Sequence, residues 1–250
     1  MRVELIVALI AGAVALASAA GTIWSSMRNA ERSNGNAKAI EQIRIANEQA
    51  RSAAQRRQEI SRFSEPLARA AYDLQSRFYN ILNQGLISVY LVQGNIREKS
   101  YIIENTTFLI AQYLCWTELA RQEIQFIDLG EASKTRALLR LQDRIYSLWG
   151  TDAQPAVLRI FAGEQRAIGE ALIQTTARGP ECMGYGLFLK TFAKGVDPVI
   201  DAVRDDVMSL DTRLAQAISR LTNLQHALIE LLDLLDPDSL RFPKDRRSKA

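Results

Sequence analysis

Apolar residues recur at spacings of three and four along most of this chain, and that periodicity predicts an all-α protein. The first stretch is different. From Val3 to Trp24 the run VELIVALIAGAVALASAAGTIW is broken only by Glu4 and by small Gly, Ser and Thr residues. A helix of that length rises about 33 Å, enough for a hydrocarbon core of about 30 Å. It therefore reads as a transmembrane signal-anchor over residues 1–27. Leu5, Ile6, Val7, Leu9, Ile10, Val14, Leu16 and Ile23 face lipid in this reading, and Trp24 sits at the interface.

A secretory signal is the competing reading, because Ala17-Ser18-Ala19 has the small-x-small form of a cleavage site. The apolar run continues past Ala19, however, and only Arg2 precedes it, offset by Glu4. Arg28, Arg32, Lys38 and Arg44 follow it, and this bias favours a single pass through the cell membrane with the C-terminal side cytoplasmic.

Residues 28–62 are rich in helix formers and read as a helical stalk, with Gly35 as a place to fray or bend. Beyond Ala46 the apolar positions are nearly all alanine, so a coiled-coil seam is thin and a solvated spacer is expected. Residues 63–240 follow as a multi-helix bundle. Ser64 and Pro66 suit a helix start, and Leu67, Ala70, Ala71, Leu74, Phe78 and Ile81 share one face. A short helix is expected around LISVYLV, between the glycines Gly85 and Gly94. The segment from Arg97 to Phe126 is apolar nearly all round at its middle, which places it at the centre of the bundle. Further helices are expected over 128–150, 156–176, 181–193 and 196–211, and the clearest over 212–235. Pro237 and Pro243 end the bundle, leaving 241–250 as a basic disordered tail.

Composition is ordinary for a chain with a core, 48% apolar and 24% charged, but the net charge of +3 is unevenly spread. Residues 28–62 carry eight Lys/Arg against four Glu, and the tail carries five against one Asp. The bundle between them is mildly acidic. No nucleic-acid partner is expected from such a body. The stalk (Arg56, Arg57, Arg62) and tail (Lys244, Arg246, Arg247, Lys249) are placed to touch anionic lipid.

Catalytic constellations are scarce. His226 is the sole histidine, and it stands among Leu224, Leu228 and Leu231, where packing or a partner interface explains it. Paired Glu-x-x-His motifs, Cys/His clusters and phosphate-binding loops are lacking, so no catalytic residue, metal or cofactor is assigned. Asp201 and Asp205 share a helix face without a second acidic motif to complete a magnesium site. Cys115 reads as a small core residue. In FAGEQRAIGE, Glu164, Arg166 and Glu170 stand beside Gly163 and Gly169. The glycines suit close helix packing, and the charged residues suit a polar pocket with Arg166 paired to Glu170.

Three functions remain open on these grounds. The first is a membrane-anchored binding module, an adaptor, sensor or assembly subunit. It meets a protein partner or a second copy through a helix face at Leu224, His226 and Leu231. The second is a small-molecule sensor or enzyme with its pocket at Glu164, Arg166 and Glu170. The third is a homo-oligomeric assembly or pore of the small-residue-rich anchor helices.

Overall fold

The computed structural model describes residues 2–123, 132–177 and 179–250, with the side chains of 2–11, 13, 30–39, 53, 56–61, 123 and 132 outside the description. The chain divides into two units, Met1–Gln58 and Glu59–Ala250, and α1 (Arg2–Asn83) contributes to both. In the first unit the helix runs unbroken through Gly35. Val14, Leu16, Ile23 and Trp24 are exposed, and the Arg28 guanidinium lies over the Trp24 ring at 4.8 Å. Among the described residues no helix is long and apolar enough to cross a membrane. Leu5, Ile6, Val7, Leu9 and Ile10, which carry much of the expected span, lie outside the described side chains. Ile40, Ile43 and Ile45 are exposed and Arg44 pairs with Glu48 at 3.3 Å, as on a solvated helix; no coiled-coil partner is seen among the described residues.

The second unit is a helical bundle around one core. No new helix starts at Ser64: α1 continues with Pro66 in its interior, forgoing one backbone bond. Its face of Leu67, Ala71, Leu74, Phe78 and Ile81 is buried. Gly85, at φ +65°, ends the helix, and Ile87–Val92 follows as a wide π-helical segment. Gly94 is required there, because a Cβ would collide with the Tyr90 carbonyl. Helix α2 (Ile96–Glu123) begins with a reciprocal cap between Asn95 and Glu98. Ile110, Tyr113, Cys115 and Leu119 bury its middle, as an apolar circumference requires.

The short helix α4 (Ala162–Ala171) packs most extensively on α2, and α3 (Ala132–Gly150) on the last long helix, Leu210–Leu235. The helix expected over 156–176 is much shorter than its pattern suggests. Residues 151–160 are irregular, and Ile173–Thr176 (β1) pairs antiparallel with Gly179–Cys182 (β2). β-branched Ile173, Thr175 and Thr176 disfavour helix locally, and Gly179, at φ +103°, fits the turn back. Then come α5 (Tyr185–Thr191), α6 (Pro198–Met208) and α7 (Leu210–Leu235). Asp197 caps α6 by accepting from Val199 N and Ile200 N at 2.9 and 3.0 Å, with Pro198 at the first turn.

Two expectations fail at the C-terminal end. Leu224 and Leu231 are fully buried, so α7 offers no free partner face there; α1, α3 and the C-terminal segment cover it. His226 is half-buried, with Nε2–H donating to Ala250 O at 3.0 Å. The basic tail is not disordered either. Phe242 is buried against Tyr72, with ring centroids 5.0 Å apart, and under the Arg69 guanidinium. Arg247, also buried, binds Asp236 at 2.6 Å, Asp233 at 3.0 Å and the Phe242 carbonyl. Gln225 receives Ala250 N and donates to Ser248 O. Arg247 is thus spent inside the fold and is no lipid contact; Lys244 and Arg246 remain exposed.

Asp236 is the hub of this lock. Burial alone would raise its carboxyl, but the backbone N–H groups of Phe242, Arg241 and Leu240, with Arg247, hold it below the usual value. A depressed carboxyl stabilises the fold above its unfolded pKa, about 3.9, and loses that contribution as pH falls through the folded value. Asp236→Asn is therefore expected to lower the denaturant midpoint at pH 7, and the gap to wild type should close as the pH drops below about 4.

Candidate ligand-binding site

A cavity of about 340 Å³ opens between the C-terminal half of α2, α3 and the first turn of α4. Its body is apolar and aromatic, with Leu139, Ile145, Tyr146 and Trp149 from α3 facing Tyr113 and Leu114 of α2. Two features hold the three walls in place.

The first is Gly169. A Cβ there would stand 2.8 Å from Leu114 O and 2.9 Å from Glu118 Cβ, so only glycine lets α4 approach α2 this closely. The packing reading of this glycine therefore holds, whereas Gly163 has nothing within 4 Å of its missing Cβ.

The second is Arg220 on α7, which is fully buried. Its Nη1 donates to the carbonyls of Leu148 and Trp149 at 2.6 and 2.8 Å. Its Nη2 donates to those of Thr151 and Pro155 at 3.1 and 3.0 Å. A cation against the last carbonyls of α3 also opposes the negative end of the helix dipole. The same loop places Ile160 N on Trp149 O at 3.0 Å, and Leu158, at φ +57°, donates its N–H to Asp206 at 2.8 Å. Burial raises the Asp206 carboxyl and lowers the Arg220 guanidinium from their ordinary values.

Polar groups are few. Glu118 is buried in the α2 wall and accepts from Arg121 Nε at 2.7 Å and from Gln122 at 2.6 Å. Burial alone would raise its carboxyl; these bonds outweigh it and hold the group below its usual value. Gln165 Nε2 donates to Tyr146 O at 3.1 Å and Ile160 O at 2.9 Å, which fixes the orientation of the amide and leaves Oε1 buried without a partner. Trp149 Nε1 is likewise buried and unpartnered. Two lining residues thus carry an unmet donor and an unmet acceptor, both sealed from solvent, at a cost of about 1–3 kcal/mol each.

Of the three residues expected to bind a ligand, only Arg166 lines the cavity. Glu164 is spent on the helix start, accepting Phe161 N at 2.8 Å. Glu170 is exposed outside the cavity and acts electrostatically on Arg121. The expected Arg166–Glu170 pair is not formed among the described residues. The expected partner residues Leu224 and Leu231 belong to the core on α7. Residue spacing could not reveal Leu139, Tyr146 or Trp149, because their cavity needs three helices together. Glu118, a carboxylate directly after the apolar middle of α2, was the one available signal.

The acidic run on α6 builds no metal site. Asp201 receives Gly195 N at 2.7 Å and pairs with Arg204, Asp205 pairs with Lys194 at 3.1 Å, and Asp206 receives Leu158 N. Among the described residues no group of His, Cys, Asp or Glu could hold a metal ion. The chain matches no known family model, no curated protein and no solved structure.

Cys115 and Cys182 are free thiols brought together by α2 and β2. Their mutual hydrogen bond and burial raise the Cys115 thiol far above its ordinary pKa. Cys182 is half-buried.

Two outcomes follow from this geometry. Arg220→Met removes the guanidinium donors from four carbonyls, of which Trp149 O keeps Ile160 N–H, and is expected to cost about 3 kcal/mol in chemical denaturation, with Arg220→Lys giving little recovery because one ammonium cannot span the four acceptors. In native-state alkylation read by mass spectrometry, Cys182 should react well before Cys115, and denaturant should equalise them.

Proposed function

We propose that this chain is a single-pass membrane protein whose helical bundle binds a small molecule in the α2–α3–α4 cavity, as a sensor or binding subunit. The cavity carries this reading: its volume lies in the range of small-molecule sites, its body is apolar, and its polar groups are few and convergent. Leu224 and Leu231 are buried in the core, so this reading does not use the α7 face.

Membrane attachment is supported by the apolar run from Val3 to Trp24, and by Val14, Leu16, Ile23 and Trp24, which the chain itself leaves uncovered. The basic residues after Trp24 favour a cytoplasmic bundle. Lys244 and Arg246, exposed beside the buried Arg247, are available to anionic headgroups.

Full-length protein in lipid nanodiscs is expected to bind indole saturably and one to one by calorimetry, with empty discs subtracted. Leu139 is half exposed at the cavity, and Leu139→Trp should abolish the signal while the circular dichroism stays native. Unsaturable binding, or binding that the plugged variant retains, would refute the cavity as a site. In the membrane fraction, the protein should resist alkaline carbonate, and a reporter after Ala250 should be cytoplasmic. Release by carbonate would remove the anchor from the proposal.

A further inference from the structure

The charged residues around the cavity divide into spent and unspent ones. Glu118 and Arg121 neutralise each other through two hydrogen bonds and contribute little net charge to an incoming molecule. Arg166, on α4, and Asp143, on α3, both line the cavity, are both exposed, and make no side-chain hydrogen bond or ion pair among the described residues, although Arg166 stands near enough to Glu118 to help lower its carboxyl. Opposite charges therefore stand unpaired on two different walls. Elsewhere in the bundle three buried cations are consumed, Arg204 by Glu104 and Asp201, Arg220 by backbone carbonyls and Arg247 by Asp236, while the buried Arg77 donates to Asn105.

Charge alone narrows the ligand. A simple anion satisfies Arg166 but meets the Asp143 carboxylate unpaired, and a simple cation has the reverse difficulty. A neutral hydrocarbon fits the apolar body formed by Leu139, Ile145 and Trp149 but leaves both ends unused. A molecule with a carboxylate, an ammonium and an apolar or aromatic body answers all of these at once.

We infer that the cavity takes a small zwitterion of the α-amino-acid class, with an apolar or aromatic side chain in the α2–α3 body, its carboxylate toward Arg166 and its ammonium toward Asp143. This rests on reading the cavity as a binding site.

The test uses full-length protein in nanodiscs and calorimetry with L-phenylalanine, L-leucine, L-phenylalanine amide and N-acetyl-L-phenylalanine. At least one free amino acid is expected to bind saturably, with the amide and the N-acetyl form each about tenfold weaker or more than L-phenylalanine, since each leaves one rim charge without its partner. Arg166→Ala should erase the difference between L-phenylalanine and its amide, and Asp143→Ala the difference from the N-acetyl form; both side chains are exposed, so the fold tolerates their loss. Failure of both amino acids, or equal binding of a blocked derivative, overturns the zwitterion. If indole still binds and Leu139→Trp still blocks it, the cavity stands and only the ligand class falls. If indole also fails, the cavity reading falls with it.

Discussion

The bundle depends on one buried guanidinium. Arg220 carries a full charge into the core, where desolvation is severe, and meets it with four backbone carbonyls instead of a carboxylate. Those carbonyls belong to the end of α3 and the irregular chain beyond it. Without the clamp, residues 148–155 would leave several acceptors unmet in an apolar interior. With it, the chain turns sharply enough for Ile160 to return to Trp149 and for α4 to begin on top of α2. The position of Gln165 and the shape of the cavity follow from that turn.

How much of this was legible depended on how local each cause was. The helices α2, α6 and α7 were readable because periodicity, caps and apolar faces act within a few residues. The central place of α2 followed from its apolar circumference, and Gly169 announced a close approach. The hairpin at Ile173–Cys182 was hidden, since four strand residues cannot outweigh a helical pattern that leads into them. Arg220 and Arg247 carry no mark in the sequence that separates a buried arginine from a solvated one. For the same reason a segment rich in Arg and Lys was taken as a loose tail, although Phe242 and Asp236 hold it in place. Arg166 was singled out in the sequence and lines the cavity, but the other lining residues lie mostly on α2 and α3, and no spacing rule connects them.

The bundle also shows an economy in its charges. Buried ionic groups are nearly all paired or capped, and each ties elements distant in sequence: Glu104 with Arg204, Asp236 with Arg247, Asp206 with Leu158 N. Such groups are costly to leave unmet, so they specify one arrangement of helices more sharply than apolar packing alone. Pairing is not complete even so: Trp149 and Gln165 beside the cavity, and also Arg77, Thr106 and Gln112, each keep a buried polar atom without a partner.

The close seat of α4 on α2 at Gly169 has a consequence for the time course of any encounter. A backbone carbonyl and a Cβ under 3 Å from where a side chain would begin leave that wall no room to shift inward, and the Arg220 clamp restrains the opposite one. Entry then needs no prior opening of the bundle. Association is then set by diffusion and orientation, and differences between related ligands are carried mostly by how slowly each one leaves.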